Sequence, residues 1–187
     1  MSTAEYLSVL VSIVVGLGIS HVLAGVGNLL VDRLRVRFWW VWGLAVLMVF
    51  LAQVQFWWGT FSVGRAVSAN FFAFLFFLLT PIALYLSAVV LLPTFEGDGE
   101  IDLQAHFLAN HRWFFGFVAA VPLLNAVRSV VISGDPPINM DRVFEGVFFL
   151  VQVSGAAIGR PSYQKFVAVL NMALFVAMVL LTSLTPG

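Results

Sequence analysis

Between Arg37 and Arg65 the chain carries no charged side chain, and this gap constrains the fold more than any motif. Crossing about 30 Å of hydrocarbon takes roughly 20 helical residues. Inside lipid, each backbone amide must also bond within the protein, which restricts spanning segments to helices and closed barrels. Residues 38–60 are long enough. Trp39, Trp40, Trp57 and Trp58 bracket them, as expected of amphipathic rings that prefer the headgroup level. Five more apolar runs are read as spans, at 6–31, 71–92, 113–132, 142–159 and 163–184, of which 142–159 is barely long enough to cross and carries Glu145 about one turn inside its outer end. The expected fold is all-α, a polytopic membrane helix bundle of six transmembrane helices forming one integral membrane domain over residues 1–187.

Composition agrees with that reading. Charged residues make up 10% of the chain and hydrophobic ones 61%, against about 25% charged in soluble domains, so the first expected partner is the lipid bilayer. Formal net charge is zero and no Lys/Arg run occurs, which sets aside nucleic acid and polybasic attachment to anionic lipid. The absence of cysteine removes disulfides, zinc–thiolate sites, iron–sulfur clusters and thiol nucleophiles. The first five residues lack the basic region of a secretory signal, and the apolar run after them is too long for one, so the first span is expected to be retained.

Connections are read from polar and turn residues. A basic turn at 32–37 follows the first span, and a turn at 62–70 carrying Arg65 follows the second. A polar segment at 93–112 includes a short amphipathic helix at 101–111, and Gly134, Asp135, Pro136 and Pro137 mark a sharp turn before the fifth span. Odd-numbered connections hold Arg33, Arg35, Arg37, Arg112, Arg160 and Lys165, against Arg65, Arg128 and Arg142 on the other side. By the positive-inside rule, both termini are expected on the non-cytoplasmic side. Pro81 and Pro122 fall near the middle of the third and fourth spans, a spacing compatible with two inverted groups of three helices.

The first span carries an ordered row of small and polar residues. Ser8, Ser12, Gly16, Ser20, Ala24, Asn28 and Asp32 repeat at a spacing of four beside a second row of Gly18, His21, Gly25 and Asn28. Such rows let helices approach closely. The expectation is an internal contact, with the fourth and sixth helices as neighbours.

Several stretches resemble one family. Glu5-Tyr6-Leu7-Ser8, the segment from Gly16 to His21, Gln53 through Trp58, and Asp102-Leu103 with His106 through Gly116 are similar to a family of small bacterial inner-membrane proteins without an established activity. The likeness covers nearly the whole chain. It implies a multi-pass protein of the bacterial inner (cytoplasmic) membrane and transfers no site.

Polar groups retained inside lipid are costly and mark candidate functional positions. His21, Gln53, Asn125 and Asn171 form a candidate intramembrane polar site, His21 serving either as a bonded neutral imidazole or as part of an ion or proton path. Arg128 and Glu145 form a candidate outer-side ion pair, with Arg142 as an alternative partner for Glu145 one turn earlier. Asp102, His106 and Asn110 share a polar face at the inner boundary, and His111 points away from it. No cofactor or metal is expected, because His21 lies about ten residues deeper than the other two histidines and no ligand set converges. Nucleophile-elbow, phosphate-loop and dinucleotide motifs are absent, so an enzyme is not the expectation.

Two functions lead, with an intramembrane enzyme using the inner-boundary Asp102 and His106 as a distant third. One is a small permease or channel for a proton or small solute, with His21, Asn125 and Asn171 along a seam. The other is a non-catalytic membrane subunit whose small-residue faces, Gly155-x-x-x-Gly159 included, pack against a second copy or another membrane protein.

Overall fold

A computed structural model describes residues 3–67, 71–94, 99–128 and 140–184. Its helices are α1 (Thr3–Val31), α2 (Trp40–Val67), α3 (Phe71–Leu91), α4 (Leu103–Arg128), α5 (Met140–Ala157) and α6 (Pro161–Leu184). Five of them, all but α5, contain stretches long and apolar enough to cross a membrane. The protein is a multi-pass membrane helix bundle. The sixth helix, α5, has 18 residues, about 27 Å at 1.5 Å per residue, and Asp141, Arg142 and Glu145 lie near its start.

Two short strands fix which helix ends lie together. Val36–Arg37 (β1) pairs in parallel with Ile101–Asp102 (β2), tying the α1–α2 connection to the α3–α4 connection. Arg35 adds two bonds to the Gly99 carbonyl, at 3.2 Å from Nε and 2.9 Å from Nη2. The start of α6 joins this ladder side, since Gly159 packs on His111, two turns into α4. The opposite side, where α1 begins and α6 ends, is the terminal side.

Five helices close a ring. Helix α2 touches α3, α3 touches α4, α4 touches α5, α5 touches α6, and α6 returns to α2. On the ladder side the ring is filled by aromatic packing. Trp39, Phe107, Phe114 and Phe115 meet at centroid distances of 5.0–6.1 Å, and the indole N–H of Trp42 donates to the Leu91 carbonyl at 2.8 Å. Trp39 is therefore a core residue rather than a headgroup anchor, whereas Trp40, Trp57, Trp58 and Trp113 are exposed.

Helix α1 stands outside this ring, against α2 and α3, and not against the fourth and sixth helices. Its buried line is Val11, Val15, Gly18, Val22 and Leu29, with Gly25 half-buried against Leu92. These residues alternate spacings of four and three, which is the heptad seam of left-handed helix packing. The row at strict spacing of four faces outward at Ser8, Ser12, Gly16, Ser20, Ala24 and Asn28. Geometry explains the difference: a step of four gains about 40° per step at 3.6 residues per turn, whereas a heptad drifts only about 20°.

Two boundaries also differ from the sequence reading. Helix α4 is continuous from Leu103 to Arg128, so the short helix expected at 101–111 and the fourth span form one element. Asp102 starts it as N-cap, its Oδ1 accepting from the Gln104 and Ala105 amides at 2.9 and 3.0 Å. Helix α2 runs on to Val67 and absorbs most of the turn expected at 62–70. The part of the fourth span expected at 129–132 and the turn at 134–137 lie outside the described residues.

Candidate functional site

A cavity of about 370 Å³ lies within the five-helix ring, and every helix of that ring lines it. Its ladder-side limit is set by Met48 and Val49 of α2, Leu84 of α3 and Val118 of α4. Toward the terminal side its walls include Gly59, Arg128, Phe144, Glu145 and Met178. From Val118 to Arg128 is ten residues of one helix, about 15 Å of depth. Among the described residues, none of α1 lines it.

The wall is mainly apolar, and its polar groups gather toward the terminal end. Arg142 donates from Nη1 to Oε2 of Glu145 at 3.0 Å, so the bridge forms one turn along α5. Asn125 and Arg128 lie close enough to act on the Glu145 carboxylate. The charged end is thus a four-residue group on two adjoining helices, in which Glu145 is shared. Gln55 and Thr80 add two neutral polar side chains along the wall.

Prolines contribute to the same space. Pro81 and Pro122 lie inside α3 and α4, and each removes the amide that would bond the carbonyl four residues earlier, on Phe77 and Val118. Both of those residues line the cavity. Local helix irregularity of this kind is tolerated in lipid where backbone faces a cavity or protein.

The remaining members of the intramembrane polar set occupy two other places. Asn171 bonds Gln152 across α5 and α6, with Nε2 of Gln152 donating to Oδ1 of Asn171 at 2.6 Å and the reciprocal bond at 3.4 Å. His21 and Gln53 belong to the α1–α2–α3 junction. The Gln53 side chain is 2% exposed, neither of its amide atoms has a hydrogen-bond partner, and it packs so closely on Gly18 that a Cβ there would stand 2.6 Å from Oε1. The buried Nε2 of His21 likewise has no hydrogen-bond partner among the described residues, and its ring lies 5.7 Å from that of Tyr85.

At the ladder side, Asp102, His106 and Asn110 each hold local structure. Asp102 caps α4 and faces Arg37 at 3.4 Å, His106 Nε2 lies 3.2 Å from the Val90 carbonyl, and Asn110 donates to the His106 carbonyl at 3.0 Å. Among the described residues, no three His, Asp or Glu side chains gather as a metal site.

Sequence reasoning passed over Gln55, Thr80, Gln152 and Gln164. Gln152 and Gln164 are wholly buried, and Gln164 donates to the carbonyls of Gly155 and Ile158 at 2.8 and 2.7 Å. The available signal was the one that singles out Gln53, Asn125 and Asn171, an uncharged polar side chain within an apolar run, and it extends to these four. Gly155-x-x-x-Gly159 is also taken up within the chain: added Cβ atoms would meet Phe115 and His111 at 2.8 and 2.9 Å. The chain matches no protein family, no curated protein and no solved structure.

Proposed function

We propose that the protein is a small permease of a bacterial inner membrane, with six spans and both termini outside, whose ring cavity takes a small solute. The observation that carries this reading is the cavity itself, with Asn125, Arg128 and Glu145 toward one end and an apolar floor of Met48, Val49, Leu84 and Val118 at the other. Groups of this cost persist inside lipid where they serve a pathway, and a pocket of several hundred Å³ suits a small ligand. A cavity open on the terminal side, with the aromatic packing beneath it, would have the form of one state of a carrier; a channel would need a continuous path. Pro81 and Pro122 supply points at which α3 and α4 can bend. The positive-inside count supports external termini, and α5 serves as the sixth span by its length.

Purified protein in sealed liposomes should carry proton or small-solute flux that falls in Glu145→Gln and Arg128→Gln variants. Flux no greater than in those variants contradicts the reading. His21→Leu, outside the cavity lining, should retain most of the wild-type rate.

One observation favours a second reading, a non-catalytic subunit that packs against another membrane helix. The outward row of α1 keeps Ser20 and Asn28 exposed, with open space around Gly16, on a helix surface that would otherwise meet lipid. A stable complex in mild detergent supports that reading, and monodisperse monomer at every concentration excludes it.

A further inference from the structure

We infer that the ladder side holds a headgroup site for an anionic phospholipid, in which Arg112 of α4 and Arg160 at the start of α6 bind one phosphodiester and an acyl chain lies along α4 beside α5. This site is separate from the ring cavity and does not depend on what that cavity carries. Three features point to it.

The first is level. Apolar stretches able to span begin at Trp40 and Pro161 on this side. The turn between α5 and α6 has only three residues, 158–160, so it marks where both helices leave hydrocarbon. Gly159 of that turn packs on His111, an added Cβ standing 2.9 Å from the imidazole. Arg112 and Arg160, each the next residue along, therefore lie together at the level of lipid phosphates. From Leu103 to Arg112 is nine residues of α4, about 14 Å, so the strand pair projects past this boundary. The exposed indole of Trp113 then sits where interfacial rings gather.

The second is charge. The sequence has no Lys/Arg run, yet the fold brings cations of two helices to one place. Arg112, Arg160 and Lys165 are exposed, and none of them joins an ion pair among the described residues. The described carboxylates of this side, on Asp32, Glu100 and Asp102, belong to the connections that the strand pair ties together, and Asp102 faces Arg37. Asp102 stands about 15 Å from Arg112 along α4, beyond the Debye length of about 8 Å at physiological salt. The Arg160 carbonyl accepts from the Gln164 amide at 3.0 Å, so the positive end of the α6 dipole adds to the same place.

The third is the surface beneath. Gly116 and Leu123 follow Arg112 on one face of α4, at i+4 and i+11, and all three are exposed. Nothing lies within 4 Å of a Cβ added at Gly116, which leaves a notch one turn below Arg112, while Gly155 of α5 packs on the adjacent Phe115. A phosphate held by guanidinium donors sets its chain against this notch.

The test uses the full chain in mixed micelles with phosphatidylglycerol and phosphatidylcholine of identical chains, and counts the lipid retained on the protein by native mass spectrometry. Phosphatidylglycerol should be retained about twentyfold over phosphatidylcholine, the preference expected of two cations at a membrane surface. Arg112→Gln and Arg160→Gln should each lower that preference about fivefold, the double variant should abolish it, and Arg112→Lys should keep part of it. Gly116→Leu, which fills the notch, should lower retention of both lipids. Arg33→Gln, at an exposed arginine on the same side, should leave the preference unchanged. Free glycerol phosphate at the same concentration should not displace the lipid, and circular dichroism checks that each variant is folded. Equal retention of the two lipids, a loss in Arg33→Gln as large as in Arg112→Gln, retention unchanged by Gly116→Leu, or displacement by glycerol phosphate overturns the inference.

Discussion

Gln152 and Asn171 show how a single buried residue acquires its role from its partner. Each would be an expensive amide in an apolar bundle, and together they satisfy one another at 2.6 and 3.4 Å. Asn171→Leu should therefore cost about 1–2 kcal/mol in detergent unfolding, because it strands the Gln152 amide. The double variant with Gln152→Leu should recover at least half of that loss; a fully additive double variant would show that the two do not couple. Asp102 sets a second expectation. Asp102→Ala removes the α4 cap and should cost about 1 kcal/mol, whereas Arg37→Ala, whose side chain is largely exposed, should cost only a few tenths in the same assay. At this scale the sequence displayed which polar groups interrupt apolar runs, as with Asn171 and Asn125. It did not display their partners, since pairing depends on how each helix is rotated about its axis.

The first helix carries the same lesson to the level of an element. Its existence and ends were legible from an uncharged run, and so were those of α3 and α6, because hydrocarbon thickness sets length without reference to tertiary contacts. Which face is buried was not legible, because two rows of small residues compete on α1 and the more regular one lies outside. Gly18→Leu should push Gln53 aside and loosen α1 from α2, at about 1–3 kcal/mol for an overpacked contact. Gly16→Leu, with nothing within 4 Å of an added Cβ, should change monomer stability by less than about 0.5 kcal/mol. The reverse order in thermal unfolding would place the seam on the other face. The union of the expected 101–111 helix with the fourth span has a similar cause: polar residues on its first two turns looked like a boundary, yet Asp102 caps a helix that no later residue stops.

For the whole molecule, the arrangement that matters is the ring of α2 to α6 with α1 docked outside it. A count of spans could not reveal this, because ring closure depends on α6 returning to α2, a contact between elements distant in sequence. The candidate site was legible in part for the same reason. Asn125, Arg128 and Glu145 stood out as polar groups on consecutive spans and do line one cavity, while His21 and Asn171, chosen on depth alone, lie in other parts of the bundle. The central claim is that water reaches this cavity from the terminal side and stops at the aromatic layer. The chain has no native cysteine, so single cysteines report access directly. In sealed vesicles of known orientation, Asn125→Cys and Thr80→Cys should react with a membrane-impermeant thiol reagent from the terminal side only, and Phe107→Cys should stay unmodified from either side. Failure to label Asn125→Cys and Thr80→Cys, or labelling only from the ladder side, would contradict the account.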